Sequence, residues 1–240
     1  MIDFLSSLDT AVFLFFNGLH CDFLDRFMFV FSSKFVWVPL YAALLLVLVR
    51  TFRPRVMLVY LIGLVVAICI ADQTCATLIR PFVERLRPSN LANPLSELVH
   101  VVNDYRGGRY GFPSCHAANS FAMAVFMLCL MRRHWLGWVL LVWAIVNSYS
   151  RVYLGVHYPG DLLCGAIIGS AAGFACYKVA HLFDKDYVSA HERFHRPVAT
   201  FHPNLVLPAG VTVRTLDITL ARVVTCILLL TIVYMAANAF

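Results

Sequence analysis

The chain has 240 residues, of which 61% are hydrophobic and 13% charged, and its mean hydropathy is +0.78. A soluble globular domain carries about 25% charged residues, so the composition excludes that class and predicts an integral membrane protein with one domain over 1–240. The formal charge of +6 belongs in loops facing anionic lipid, which argues against a nucleic-acid partner.

The opening stretch 1–20 has no Lys or Arg and carries Asp3 and Asp9. A cleaved signal begins with positive charge, so an interfacial helix over 1–24 is predicted instead. Phe4, Leu5, Leu8, Val12 and Phe15 recur near helical spacing there. A membrane span needs roughly 20 mainly apolar residues. Six candidates follow, at 27–49, 56–79, 117–131, 135–149, 162–182 and 218–237, although Ser32, Ser33 and Lys34 interrupt the start of the first. The predicted fold is an all-α bundle of six transmembrane helices with an N-terminal interfacial helix.

Six spans place both termini on one side. The opposite side collects Arg50, Arg53, Arg55, Arg132, Arg133, Lys178 and Lys185, and the bias of positive charge makes that side cytoplasmic. The other face then looks outward, into the periplasm if the chain sits in a bacterial inner membrane. Of the eight cysteines, Cys69, Cys75, Cys129, Cys164, Cys176 and Cys226 fall in apolar runs, and none forms a CxxC pair. They read as small buried hydrophobes, not as zinc ligands or disulfides.

Three polar clusters interrupt the apolar pattern, all on the predicted outer face: "RPFVERLRP" at 80–88, "PSCH" at 113–116 and "SRVYLGVHYPGD" at 150–161. Singly, each has a plain structural explanation. Arg80 and Arg87 suit interfacial anchors, His116 suits a helix end, and Asp161 suits a helix cap after the Pro159-Gly160 turn. Together they supply what phosphoryl transfer needs: fixed positive charge, a nucleophile and a proton for the leaving group. Arginine binds phosphate bidentately and stays charged. His157 and Asp161 stand four residues apart, a spacing that lets the carboxylate hold one ring nitrogen while the other attacks. The intervening Pro-Gly leaves that geometry open. A second histidine can protonate the departing oxygen. Pro113 and Ser114 read as a helix start, where a serine caps and unpaired N–H groups favour an anion.

In order and spacing, Arg80-x6-Arg87-Pro88, Pro113-Ser114-Cys115-His116 and Ser150-Arg151-x5-His157-x3-Asp161 resemble the type 2 phosphatidic acid phosphatase superfamily. That superfamily also holds bacterial acid phosphatases and vanadium haloperoxidases. The match covers 80–161 directly, and the six-span layout resembles the membrane branch. Arg80 stands where the family pattern has lysine, and Cys115 where it has glycine. A helical backbone angle would tolerate the cysteine, because the phosphate donor there is the backbone N–H. The resemblance implies that His157 is the nucleophile, forming a phosphohistidine, that Asp161 orients it, and that His116 serves as acid and then activates water. It further implies that Arg80, Arg87 and Arg151 hold the phosphoryl oxygens with Ser114, Cys115 and nearby amides, without a metal or other cofactor.

The expected partners are a phospholipid or isoprenyl-phosphate substrate and the surrounding membrane lipids; no pattern fixes an oligomeric state. Arg106 and Arg109 flank a Gly pair in the loop between the first two clusters and are candidates for a headgroup or second phosphate. Asp72 lies about two turns inside the second span, where an ionisable group is a functional candidate. The outward site suits an isoprenyl carrier diphosphate, undecaprenyl diphosphate first. Lipid A 1-dephosphorylation and phosphatidylglycerophosphate dephosphorylation are the alternatives. A lipid transporter with a relic site is the non-enzyme alternative, and the presence of both histidines argues against it.

Overall fold

The computed structural model describes residues 2–52, 54–131 and 135–183, with 226–227, 230–234 and 237 near the C-terminus. Among the described residues the chain is all-helical, and the one extended pairing is an isolated bridge between Leu86 and Tyr110.

Helix α1 (Ile2–Asn17) meets α2 (Asp22–Phe31) at a bend of 114°. The apolar residues Phe4, Leu5, Leu8 and Phe15 that predicted this helix point outward. Its inward stripe is Asp9, Phe13 and Asn17, spaced four apart along one face. Asn17 accepts from the backbone N–H of His100 (2.8 Å) and donates to the Tyr153 carbonyl (2.9 Å).

The helix expected over 27–49 is broken. α2 stops at Phe31, a single 3-10 turn fills Phe35–Trp37, and α3 runs Val38–Thr51. Ser32 closes α2, its N–H returning to the Met28 carbonyl at 3.0 Å, and Pro39 sits in the first turn of α3, where its missing N–H has no partner to lose. Trp37 anchors the break by donating to the Phe31 carbonyl (2.8 Å) and packing edge-on against Trp143 (5.4 Å).

Helix α4 (Pro54–Gln73) continues through a π-helical stretch, Thr74–Ile79, into α5 (Arg80–Val83), one rod of 30 residues that ends on the first polar cluster. Helices α6 (Cys115–Leu130), α7 (Trp135–Tyr153) and α8 (Pro159–Leu182) follow. The rod Pro54–Val83 and α8 are long and apolar enough to cross a membrane, and the α1–α2 pair joins them if counted as one bent span. Leu58, Ile62 and Val65 on α4, and Leu163, Ile167 and Phe174 on α8, face outward, an apolar exposure suited to hydrocarbon. The sixth expected span, 218–237, lies largely outside the described residues; of it, Ile227 and Ile232 pack against the main core.

Helix α8 lies against α6 along Gly165, Gly169 and Gly173. A Cβ at these positions would fall 2.4 Å from the Ser114 carbonyl oxygen, 2.0 Å from that of Ala118 and 2.4 Å from that of Ala122. Small residues four apart let two helix backbones touch. The seam matters because α6 begins with the second polar cluster and α8 with the end of the third. Gly169→Ala is therefore expected to destabilise the protein by about 1–3 kcal/mol or more, read as a lower midpoint of thermal unfolding in detergent. An unchanged midpoint would mean that the seam yields without loss.

Candidate active site

Short polar contacts staple the three sequence clusters into one pocket. The Arg80 guanidinium donates to the Pro113 carbonyl (2.9 Å) and to Cys115 Sγ (3.0 Å). The Ser114 N–H donates to the Asp161 carbonyl at 3.0 Å, joining the starts of α6 and α8. Arg87 donates through Nε to the Tyr110 carbonyl and through Nη1 to the Val156 carbonyl, both at 3.2 Å. Ser114 caps α6, its hydroxyl accepting from the Ala117 N–H at 3.4 Å, as a Ser before an apolar run does. Cys115 occupies the first helical position after that cap, so a helical backbone does accommodate it.

His157 is buried in the turn before α8, with Nδ1 3.3 Å from Asp161 Oδ2 and Nε2 3.1 Å from Arg87 Nη1. Arginine can only donate, so Nε2 is the unprotonated nitrogen and Nδ1 carries the hydrogen given to Asp161. The lone pair of Nε2 thus points to the arginine side. Burial first, and then the charges of Arg87, Arg151 and Arg80, hold this imidazole well below its usual titration range, so it is neutral at neutral pH. Asp161 takes on the capping task as well, Oδ2 accepting from the Tyr158 N–H at 3.0 Å. One carboxylate both starts a helix and fixes a ring.

His116 stands in the first turn of α6, within electrostatic reach of Arg151 and His157 and beside Asn147. Arg87 is pushed down to about 10, by burial first and then by Arg151 and Arg80. Crowded guanidinium groups of this kind repel one another until an anion lies between them. Arg80 Nε and Arg151 Nε are buried N–H donors without a partner among the described residues, and a phosphoryl group offers the acceptors such donors need.

Several contributors escape a reading of the sequence. Arg151 donates to the buried Ser32 hydroxyl and to the Tyr105 hydroxyl (3.0 Å), so the break after α2 and the loop at 99–110 wall the pocket. Arg85 lies inside the first cluster and pairs with Asp161. Of the two loop arginines, Arg106 donates to the Ser89 carbonyl (2.9 Å) and Arg109 lies over the Tyr110 ring (5.3 Å). Asp72 accepts from Asn119 Nδ2 at 2.9 Å, a partner on α6. Among the described residues, no three His, Cys, Asp or Glu side chains are grouped to hold a metal ion.

A helical scaffold with lipid-facing rods, carrying paired imidazoles in a cup of arginines, defines a membrane-embedded phosphatase of lipid phosphates. The family model described as "PAP2 superfamily" matches residues 56–185, and the chain belongs to that family. It is 52% identical over 181 residues to a lipid A 4'-phosphatase of Bacteroides thetaiotaomicron, covering 75% of this chain and 80% of that one. It is 34% identical over 154 residues to an undecaprenyl-diphosphatase of Sulfolobus acidocaldarius, covering 64% and 68%. The solved structure of Aquifex aeolicus LpxE superposes with a TM-score of 0.56 at 26% identity, over 71% of this chain and 95% of that one.

Proposed function

We propose that the protein removes the 4'-phosphate of lipid A, a phosphate monoester on a glycolipid headgroup. The observation that carries the chemistry is that His157 Nε2 lies 3.1 Å from Arg87 Nη1 while Nδ1 faces Asp161. The choice of lipid is supported by the 52% identity to a lipid A 4'-phosphatase, against 34% to an undecaprenyl-diphosphatase. Undecaprenyl diphosphate, the first expectation from sequence, takes second place on that ground.

In the first step Nε2 of His157 attacks phosphorus, a P–N bond forms and the P–O bond to the sugar breaks. Asp161 holds Nδ1–H and stabilises the charge that develops on the ring. His116 gives its proton to the departing sugar oxygen. Arg80, Arg87 and Arg151, with the Ser114 hydroxyl and the amides at the start of α6, hold the three phosphoryl oxygens. In the second step His116 takes a proton from water as the water oxygen attacks phosphorus; the P–N bond breaks and inorganic phosphate leaves. Arg106 and Arg109 sit on the same loop as Tyr105 and are available to a headgroup.

The setting we propose is a single membrane domain of six spans in a bacterial inner membrane, the pocket facing the periplasm. α1 lies in the interface with Phe4, Leu5, Leu8 and Phe15 in lipid. In this setting a lipid phosphate reaches the pocket without its acyl chains leaving the bilayer.

The test is phosphate release by the purified chain from bisphosphorylated lipid A, undecaprenyl diphosphate and phosphatidate in mixed micelles. Lipid A should be cleaved at least about tenfold faster than the others, a margin of some 1.4 kcal/mol in transition-state binding. Mass spectrometry of the product should place the loss at the 4' position. Faster release from undecaprenyl diphosphate would replace this substrate with the second one, and release from none would end the enzyme reading for these lipids.

A further inference from the structure

Behind the His157–Asp161 dyad runs a chain of charges that reaches beyond the three sequence clusters to α1. Arg85 Nη1 donates to Asp161 Oδ1 at 3.0 Å, and its Nη2 pairs with Asp9 Oδ2 at 2.8 Å. The guanidinium carbon lies over the Tyr158 ring, 3.8 Å from its centre. Asp9 belongs to α1, outside the residues 56–185 that match the family. Its other oxygen, Oδ1, accepts from the Gly160 N–H at 2.7 Å, in the first turn of α8. Gly160 is what permits this approach, since a Cβ there would fall 2.8 Å from the Asp9 carboxylate. One turn along α1, Phe13 packs on Tyr158 at 5.3 Å, so the helix is docked at two points beside the dyad.

We propose that Asp9 and Arg85 are positioning residues for the dyad, which makes α1 part of the catalytic apparatus as well as a membrane contact. This rests on the roles given above to His157 and Asp161. The Asp161 carboxylate has two jobs on Oδ2, the His157 ring and the Tyr158 N–H. Arg85 occupies Oδ1 and so sets the rotation of the carboxylate. Asp9 fixes Arg85 in turn and offsets its positive charge, so that Asp161 keeps a full share of negative charge for the imidazolium formed during reaction. Around the dyad, the charges of Arg80, Arg87 and Arg151 act on His157, His116 on α6 is within electrostatic reach of it, and Arg85, the Tyr158 N–H and Cys164 lie about Asp161. Among the described residues, Asp9 is the one carboxylate paired with Arg85 besides Asp161 itself.

The two residues therefore pull the dyad in opposite electrostatic directions, which a merely structural role would not. Asp9→Asn keeps an acceptor for the Gly160 N–H but leaves the charge of Arg85 uncompensated. The acid limb of kcat/KM against pH should move to lower pH, and kcat should fall on the order of tenfold with KM little changed. Arg85→Gln removes the positive charge, and the limb should move to higher pH. Arg85→Lys, a milder change if the glutamine variant folds poorly, keeps the charge and should leave the limb close to the native position with a lower kcat. The profiles are taken on the full-length chain in detergent, with p-nitrophenyl phosphate and bisphosphorylated lipid A, beside a His157→Ala control. Limbs that stay put, or move the same way in Asp9→Asn and Arg85→Gln, while His157→Ala is inactive, would overturn this proposal. A His157→Ala variant as active as the native chain would instead overturn the roles on which it rests.

Discussion

Replacing His157 with alanine is expected to lower phosphate release by at least about four orders of magnitude, the scale on which loss of a covalent nucleophile is felt. Nothing else in the pocket can take its place. His116 is a proton carrier in this scheme, and Cys115 Sγ is engaged by Arg80 at 3.0 Å. The native chain, stopped in alkali during turnover, should yield a phosphohistidine, which is stable in base and labile in acid. His157→Ala should yield none, whereas His116→Ala should still form it when the leaving group is as acidic as p-nitrophenol, because such a group departs unprotonated. The fold should survive, since the imidazole contributes two of the contacts that join its turn to the rest while Ser114–Asp161 and Arg87–Val156 remain. A His157→Ala protein that keeps more than about a tenth of native release would show that the attacking group is elsewhere.

The three clusters were legible because phosphoryl chemistry constrains residue type and spacing together. Hydrogen bonds and charge interactions link Arg80, Arg87, His116, Arg151, His157 and Asp161, and the ring-to-carboxylate contact suggested by a four-residue spacing is made across a Pro-Gly turn that opens α8. What stayed hidden depends on contacts between segments far apart in the chain. Ser32 read only as an interruption of a span, yet its hydroxyl holds Arg151 from 119 residues away. Asp9 read as one of two acids on an apolar helix, and its place against Arg85 and Gly160 needs α1 folded back on the start of α8. Phe4, Leu5, Leu8 and Phe15 do lie on the exposed face of α1, but hydrophobic spacing says nothing about the polar stripe that docks. The break at 32–37 was hard to see for a related reason: the flanking runs are apolar enough for one helix, and the pocket's need for Ser32 is not written locally.

Asp161→Asn is expected to reduce kcat by about 10³–10⁴-fold with KM nearly unchanged, since the change leaves shape intact and alters which nitrogen of His157 carries the hydrogen. An amide has one acceptor oxygen where the carboxylate has two. Arg85 can only donate and is pinned by Asp9, so the amide oxygen turns toward Arg85 and its NH₂ toward His157 Nδ1, giving up the contact that the Tyr158 N–H makes with the carboxylate. Nδ1 must then accept, the ring hydrogen moves to Nε2, and the atom that should attack phosphorus becomes a donor facing Arg87 Nη1, itself a donor 3.1 Å away. The same reasoning gives a sharper second result. Removing Arg85 as well, in an Arg85→Ala, Asp161→Asn chain, frees the amide to rotate and offer its oxygen to Nδ1–H. The double variant should therefore be more active than Asp161→Asn alone, although each change is harmful by itself. Losses that simply add in the double variant would mean that the tautomer of His157 is set by something other than the contest between Arg85 and the imidazole for one oxygen.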